Sequence, residues 1–489
     1  MAYELEKAST HHTTQPGEPA ARTPTAQDWT GPGDAENPMN WSLTKRTLHM
    51  IPIAFLAFAV TAGSSLITPA TEEIAQHFHV SVTAAILSLS LFVVGLGIGP
   101  IIAAPLSEHF GRNAVYVTTA PVYMLFILGA GFSKSFGGLL VCRLLAGIAG
   151  GPVLAVGSGT TADMFPTRIR AIPASIYIMA PFLGPALGPV IGGFAAQYKG
   201  YKWTQWSTIF IGLVAWALVL PMQETYKKTI LQRRAKRLNI PPPPTPHLGL
   251  LPYARKILRL TVARPLGMLF TEPIVLFFSL YISFVFSVLF ALFAAFPYTF
   301  RRVYGFNTWQ SGLTFLSIGL GNLLGLIMFV VLDRRVYARK HAEAVTRDQK
   351  AIAPEHRLYG AMIGAPGVAI GLFWFAWTAR SSVHWISPVL AGVPFAFGNM
   401  GIFVSSALYM IDVYGPLSGA SALAANGLAR YTMAAGFPLF TIQMYSSLGI
   451  DWATSLLGFV SVLFLPIPFI FFKYGPQIRR KSRYNIVTV

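Results

Sequence analysis

Long apolar runs constrain this chain more than any other feature of its sequence. Hydrophobic residues make up 54% of its 489 positions and charged residues only 11%. A run of about 20 apolar residues can cross a bilayer as a helix, and in lipid only helices and closed barrels satisfy the backbone hydrogen bonds. Twelve such runs occur, at residues 48–67, 84–106, 113–132, 138–163, 171–196, 203–221, 272–297, 310–332, 358–379, 384–411, 417–446 and 452–472. The sequence therefore predicts an all-α membrane protein with twelve transmembrane helices.

Basic residues are distributed unevenly among the connections between these runs. If the N-terminus is cytosolic, 27 of the 37 lysines and arginines lie on the cytosolic side and only six on the opposite side. Such an asymmetry orients membrane proteins, with the basic side in the cytosol. We therefore expect both termini in the cytosol. The net charge of +19 is then explained by orientation and by contact with anionic lipid, and no nucleic-acid partner is expected.

A basic segment divides the twelve runs into two groups of six. We expect a disordered cytosolic tail at 1–44, a six-helix bundle at 45–223, a cytosolic linker at 224–265, a second six-helix bundle at 266–474 and a cytosolic tail at 475–489. The second run, with Val93–Gly97 before Glu108 and Arg112, is echoed by the eighth, with Ser317–Gly321 before Asp333–Arg335. This echo is what duplicated halves of a transporter predict.

Glycine and proline are concentrated in the fifth apolar run, between Ala180 and Gly193. The positions are Gly184, Pro185, Gly188, Pro189, Gly192 and Gly193. In lipid, such a segment is tolerated only where neighbouring helices or a cavity satisfy the freed backbone groups. We therefore expect this run to lie at a helix interface, close to the path of whatever the protein moves.

The sequence contains no pattern typical of an enzyme or a metal site. The single cysteine, Cys142, excludes an internal disulfide and a thiolate metal site, and no two histidines within a run stand at metal-binding spacing. No Gly-x-x-x-x-Gly-Lys-Ser/Thr phosphate loop is present. We expect no catalytic residue, no metal and no cofactor, and an ion gradient as the energy source.

Several short motifs lie within the apolar runs or at their ends. They are Asn37–Ser42, Leu106–Arg112, Arg143–Gly147, Ala180–Gly193, Glu224–Tyr226, Arg264–Pro265, Glu272–Pro273 and Ser421–Arg430. Together they resemble the motifs of the major facilitator superfamily, and in particular those of fungal twelve-span drug:proton antiporters. The resemblance covers the chain from about residue 40 to the C-terminus, and it implies two six-helix bundles around a central cavity.

The resemblance also implies roles for four residues near the first bundle's cavity and its cytosolic face. Arg143 would face the cavity and take part in proton coupling, whereas Asp163 would pair with Arg112 and close the cytosolic side, with Glu108 in the same loop. Arg143 lies about five residues into its run, roughly 8 Å deep, where a guanidinium must face protein or water. A structural bond from Arg143 to backbone carbonyls, and a surface ion pair of little consequence for Arg112, stay open as alternatives.

Polar residues in the middle of the runs are the candidates for binding a substrate. Arg430 lies near mid-depth in the eleventh run with Asn426 one turn before it, and a structural bond between helices is the alternative role for both. Other candidates are Tyr281, Asn399, Asn322 and Tyr177. All 18 acids fall in tails, loops or the ends of runs, which disfavours polycationic substrates and favours neutral, amphipathic or anionic ones.

We therefore expect a monomeric secondary transporter of the plasma membrane that exports amphipathic drugs or fungal metabolites in exchange for protons. The expectation of proton coupling rests on the resemblance, because no carboxylate lies at mid-depth. The candidates for carrying the proton are acids or histidine at the ends of the runs, namely Asp163, Glu272, Asp412 and His384. Two alternatives stay open. One is a dedicated exporter of an organic acid such as a dicarboxylate, for example itaconate, and the other is a transceptor that senses ligand without transport.

Overall fold

The computed structural model describes residues 27–166, 169–242, 255, 258–340, 343 and 352–484. Regular structure in these residues is helical, which confirms the all-α prediction. Helices α1 to α6 are Leu43–Ser65, Val82–Phe110, Arg112–Phe132, Phe136–Met164, Ala171–Lys199 and Tyr201–Val219. Helices α7 to α9 are Pro273–Tyr304, Leu316–Leu332 and Tyr359–Thr378.

One hydrogen-bonded stretch, Gly392–Phe464, contains three further helices. Gly415 has a φ of 69° and Gly449 a φ of 80°, a region that is costly for residues with a side chain. The chain changes direction at each glycine. The stretch therefore divides into α10 at 392–414, α11 at 416–448 and α12 at 450–464, which Pro466–Arg479 continues.

The number of passes can be read from length and hydropathy. Ten stretches of the described residues are long and apolar enough to span a membrane. One of them, Ser418–Arg479, is 62 residues long and holds both α11 and α12. The apolar helix α6, of 19 residues, adds one more pass, so that the described helices supply the twelve predicted spans.

The twelve helices pack as two sets of six, α1–α6 and α7–α12. In the first set α2 packs along α4, and α1 along α5 and α6; in the second set α7 and α9 pack against the stretch 392–464. Between the sets, α5 contacts α8 and α2 contacts α11. We call the end at which α2 meets α3 the basic end; it also carries the linker helix Lys227–Leu238. The opposite end is the distal end.

The glycine and proline run lies in α5, at the interface with α1. Gly184, Gly188 and Gly192 form one stripe of the helix, and a Cβ added to any of them would overlap Thr61, Ser65 or Leu66 of the facing chain. The hydroxyl of Ser65 also donates to the carbonyl of Gly184, at 3.2 Å. The stripe therefore allows two backbones to approach closely, as small residues do between membrane helices.

Substitution of Gly192 tests this close approach. Gly192→Ala places a methyl group against the backbone carbonyl of Leu66, and we expect the folded state to lose about 1–3 kcal/mol from overpacking. The measurement is the thermal unfolding of purified protein. Gly427→Ala is the matched control, because a Cβ there meets nothing within 4 Å; an equal effect of the two substitutions would contradict the interface.

The end of the predicted tail binds the linker helix. We call residues 28–36 the N-terminal strap. Arg234 of the linker helix, only 3% exposed, donates to both carboxylate oxygens of Asp34 at 2.8 Å, to Glu36 at 2.6 Å and to Thr30 at 3.1 Å. The remainder of the tail predicted to be disordered, residues 1–26, lies outside the described residues, as do 243–254 of the predicted linker.

The charges of the strap determine how it depends on pH. Burial alone would raise the pKa of Asp34, but hydrogen bonds from Thr30, Arg234 and Glu36 lower it below its ordinary value. Arg237 and Arg234 likewise lower the pKa of Glu36 against the effect of burial. A carboxyl group whose pKa is lowered in the bound strap contributes binding free energy at pH values above its ordinary pKa. That contribution is lost as pH falls through the lowered pKa.

We therefore expect the strap to stay bound at pH values down to about 4, the ordinary range of carboxyl groups, and to be released only below it. A spin label at Gly33→Cys in a Cys142→Ser background reports the strap's mobility, since a Cβ at Gly33 meets nothing within 4 Å. Arg234→Gln should mobilise the label at neutral pH. A label that is equally mobile with and without Arg234 would contradict the assignment.

Candidate functional site

Arg112 is the centre of a charge cluster at the basic end of the first set. Its Nε lies 3.1 Å from a carboxylate oxygen of Asp163, its Nη1 donates to the hydroxyl of Ser107 at 2.8 Å, and its guanidinium stacks on Tyr226 at 4.8 Å. The cluster thus joins α3, α4, the last turn of α2 and the start of the linker. The predicted pair of Arg112 and Asp163 forms; its role as a gate stays a prediction.

Glu224 holds the same corner from the other side. Its carboxylate accepts the backbone N–H groups of Arg112 and Asn113, at 2.9 and 3.2 Å, and those of Thr225 and Tyr226. The N-terminus of α3 carries unpaired N–H groups and a partial positive charge, so a carboxylate stabilises it. Glu108, which the sequence assigned to this gate, is exposed and takes no part in the described cluster; Ser107 makes the contact instead.

The second set contains a matching cluster that the sequence did not predict. Nε of Arg357 lies 2.8 Å from Asp412, its Nη1 lies 3.3 Å from Asp333, and its guanidinium stacks on Tyr337 at 3.6 Å. Asp412 lies near the end of α10, as Asp163 lies near the end of α4. Arg357 lies just before α9, and Arg112 is the first residue of α3. The sequence echo includes Asp333, Arg334 and Arg335 but not Arg357, because the ends of α8 and α9 meet only in the fold.

Arg143 is completely buried inside the first set. Its Nε donates to the carbonyl of Ser88 at 3.0 Å, and its Nη1 and Nη2 donate to the carbonyls of Gly63 and Ser64 at 2.9 and 3.2 Å. Those two carbonyls belong to the last turn of α1, where carbonyls lack helical partners and the helix dipole is negative. Arg143 therefore caps α1, as the structural alternative proposed; its contact with substrate and its proton coupling stay predictions.

Arg430 lies in different surroundings, between the two sets of helices. Its guanidinium carbon is 4.6 Å from the ring of Phe286 on α7, 4.8 Å from that of Phe403 on α10 and 4.5 Å from that of Tyr431 beside it. Phe182 of α5 contacts Phe403, with ring centroids 4.9 Å apart. The structure therefore encloses this charge among aromatic rings, and we call these four rings with Arg430 the central site.

The other predicted substrate residues differ in their partners. Asn426 and Asn399 are 3% and 2% exposed, and the Nδ2 of each has no hydrogen-bond partner in the described protein. Asn322 donates from α8 to the carbonyl of Phe182 on α5 at 3.1 Å and thus joins the two sets. The buried hydroxyl of Tyr281 has no hydrogen-bond partner among the described residues, whereas that of Tyr177 donates to the carbonyls of Val153 and Leu154.

The two sets also meet at the distal end. Arg301 pairs with Glu72, Thr308 donates its N–H to the side chain of Gln197 at 3.1 Å, and Gln443 donates to Thr83. A cleft opens there between α2, α7 and α11, and none of the predicted substrate residues lines it. Direct polar contacts between the two sets, among the described residues, thus lie at the distal end or at mid-depth.

Comparison with known proteins identifies the family. A family model described as the Major Facilitator Superfamily matches residues 53–438. The chain belongs to this superfamily. Among solved structures, the proton:xylose symporter XylE, bound to 6-bromo-6-deoxy-D-glucose, has a TM-score of 0.63 and 16% identity over 89% of this chain and 97% of its own; at that identity the likeness shows the fold alone.

Two fungal transporters are similar in sequence to this chain. Polyamine transporter 4 of Saccharomyces cerevisiae is 40% identical, over 96% of this chain and 74% of its own length. The citrinin biosynthesis cluster MFS transporter mrr1 of Monascus ruber is 37% identical, over 96% of this chain and 95% of its own. The chain is therefore a membrane transporter of the superfamily and not an enzyme.

Substitution of Arg357 tests the second charge cluster. Arg357→Gln leaves the carboxylates of Asp333 and Asp412, 17% and 29% exposed, without their shared cation. Breaking a fully buried pair costs about 3–5 kcal/mol, and the partial exposure here reduces our expectation to about 1–3 kcal/mol. The measurement is thermal unfolding, with Arg335→Gln as the control. Equal effects of the two variants would contradict the cluster.

Proposed function

We propose that this protein is a proton-coupled secondary transporter that exports small amphipathic organic molecules by alternating access. The observation that carries the proposal is the position of the central site. Arg430, Phe286 and Phe403 come from the second set of helices and Phe182 from the first, so a molecule bound there touches both. Rocking of one set against the other then changes the site and its access, which is how transporters with repeated halves work.

The direction of access follows from the contacts between the two sets. Polar contacts at the distal end hold the sets together there, and the described residues of the two basic-end clusters pair within their own set. This arrangement supports loading of the central site from the basic end. We therefore propose that the basic end and both termini lie in the cytosol. We also propose that the protein works as a monomer in the plasma membrane.

Proton coupling is assigned to the basic-end clusters. Asp163 is 23% exposed and pairs with Arg112, so its protonation would cancel the charge that holds α3 to α4. A proton shifts an equilibrium only if it binds the two conformations with different affinity, and an ion pair that exists in one conformation provides that difference. Among the described residues no acid contacts Arg143, so the proposal does not route the proton through it.

The names of the relatives support a small organic molecule as the cargo, but they do not agree on its charge. The Monascus protein is named for a metabolite cluster, which favours a secondary metabolite, and the yeast protein is named for polyamines. The described residues around Arg430 include no acid in contact with it, which is an argument against a polycation for this chain. We therefore propose amphipathic metabolites or drugs as the cargo.

Gradient-driven uptake into liposomes tests the proposal. Purified full-length protein is reconstituted inside-out with an acidic lumen, and a mixture of fungal metabolites and dyes is assayed by mass spectrometry. We expect at least one amphipathic compound to accumulate and the accumulation to stop when the gradient is collapsed. Asp163→Asn should abolish gradient-driven accumulation, whereas Asp451→Asn, which removes an exposed distal carboxylate, should not.

Two outcomes would contradict the proposal. Binding without accumulation of any compound would identify a transceptor. Accumulation that is indifferent to the pH gradient, in the native chain and in Asp163→Asn alike, would exclude proton coupling.

A further inference from the structure

Among the residues that the structure describes, none is a counterion to Arg430. The centres of three rings lie 4.5 to 4.8 Å from its guanidinium carbon. No described acid forms an ion pair with it, and its buried Nε has no hydrogen-bond partner in the described protein. A guanidinium that stacks on rings keeps its N–H groups at its edge, in the plane that fits a carboxylate.

Two neighbouring side chains add donors of the same kind. Asn426 lies one helical turn from Arg430 on α11, and Asn399 lies one turn from Phe403 on α10. Each is at least nine-tenths buried, and the Nδ2 of each lacks an acceptor. Buried donors without acceptors cost free energy, so these three side chains are complementary to a ligand that brings acceptor oxygens.

The rings around these donors determine the remainder of the ligand. Phe286 contacts Phe182 edge to face at 6.4 Å and Tyr431 at 5.9 Å, and Phe182 contacts Phe403. Such surfaces bind flat apolar groups by stacking. The backbone of α2 at Gly97 lies against Tyr431. A Cβ added to Gly97 would come within 3.0 Å of the Cβ of Tyr431, so residues of both sets of helices surround the site.

We propose that the central site binds one organic anion, with a carboxylate or phenolate on the edge of Arg430 and a flat apolar body against the rings. This inference deepens the proposed function and rests on it, since it names the class of its cargo. The anion supplies the negative charge that no described residue provides beside Arg430. A polycation such as spermine would instead place like charges beside Arg430.

Equilibrium binding of a matched pair of compounds tests the charge requirement. Naphthylacetate and naphthylacetamide have nearly the same shape, and only the first carries a charge. Binding to purified full-length protein is measured by quenching of tryptophan fluorescence, with no membrane gradient present. We expect the acid to bind about 10- to 100-fold more tightly than the amide, as a charge-assisted hydrogen bond predicts, and spermine not to compete.

Substitution of Arg430 assigns the preference to this residue. Arg430→Gln should reduce the affinity for the acid to that for the amide, and Arg430→Lys should keep part of the difference. Arg335→Gln, at an exposed position of the basic end, should leave the difference unchanged. If Arg430→Gln fails to fold, Asn426→Leu is the second variant and should weaken the acid more than the amide.

Several results would overturn this inference. They are equal affinities for acid and amide in the native chain, a preference that survives in Arg430→Gln, displacement by spermine, and no saturable binding of the acid by folded protein. Because the assay contains no gradient, its failure is distinct from that of the proposed function. A protein that accumulates other compounds but ignores naphthylacetate would refute the anion site alone, and one that binds the anion without transport would refute export alone.

Discussion

A guanidinium at membrane depth needs partners for both its charge and its N–H groups, and Arg143 and Arg430 meet that need differently. Arg143 obtains carbonyls from the last turn of α1 and from Ser88 of α2, so its charge is stabilised by a helix end and fixes three helices together. Arg430 has three aromatic rings within 4.8 Å of its guanidinium carbon, and no described acid pairs with it. Arg143 completes the structure of its bundle, whereas we propose that a ligand provides the missing partner of Arg430.

The two charge clusters give the halves a common design at the basic end. In each half an arginine at the start of one helix pairs with an aspartate at the end of the next, Arg112 with Asp163 and Arg357 with Asp412. These pairs lie within a half and stiffen it. Contacts between the halves, by contrast, use Arg301 with Glu72 at the distal end and Asn322 at mid-depth. Stiff halves joined by few polar contacts can rock against each other as units.

Much of the fold could be predicted from the sequence, because the membrane leaves few solutions to an apolar run of this length. The positions of the twelve helices and the interface role of the Gly184–Gly193 segment follow from composition and local chemistry. The residues that pair across the fold cannot be predicted in this way. Arg357 is separated from Asp412 by 55 positions, and no local pattern favours it over Arg335. For Arg143 the sequence left two roles open, and only the position of the end of α1 separates them.

The most direct measurement is a structure of the protein with naphthylacetate bound. We expect density for the ligand between the two sets of helices, with its carboxylate on the edge of Arg430 and its rings against Phe182 and Phe286. Density in the distal cleft beside Arg301, or a carboxylate on any group other than Arg430, would contradict it.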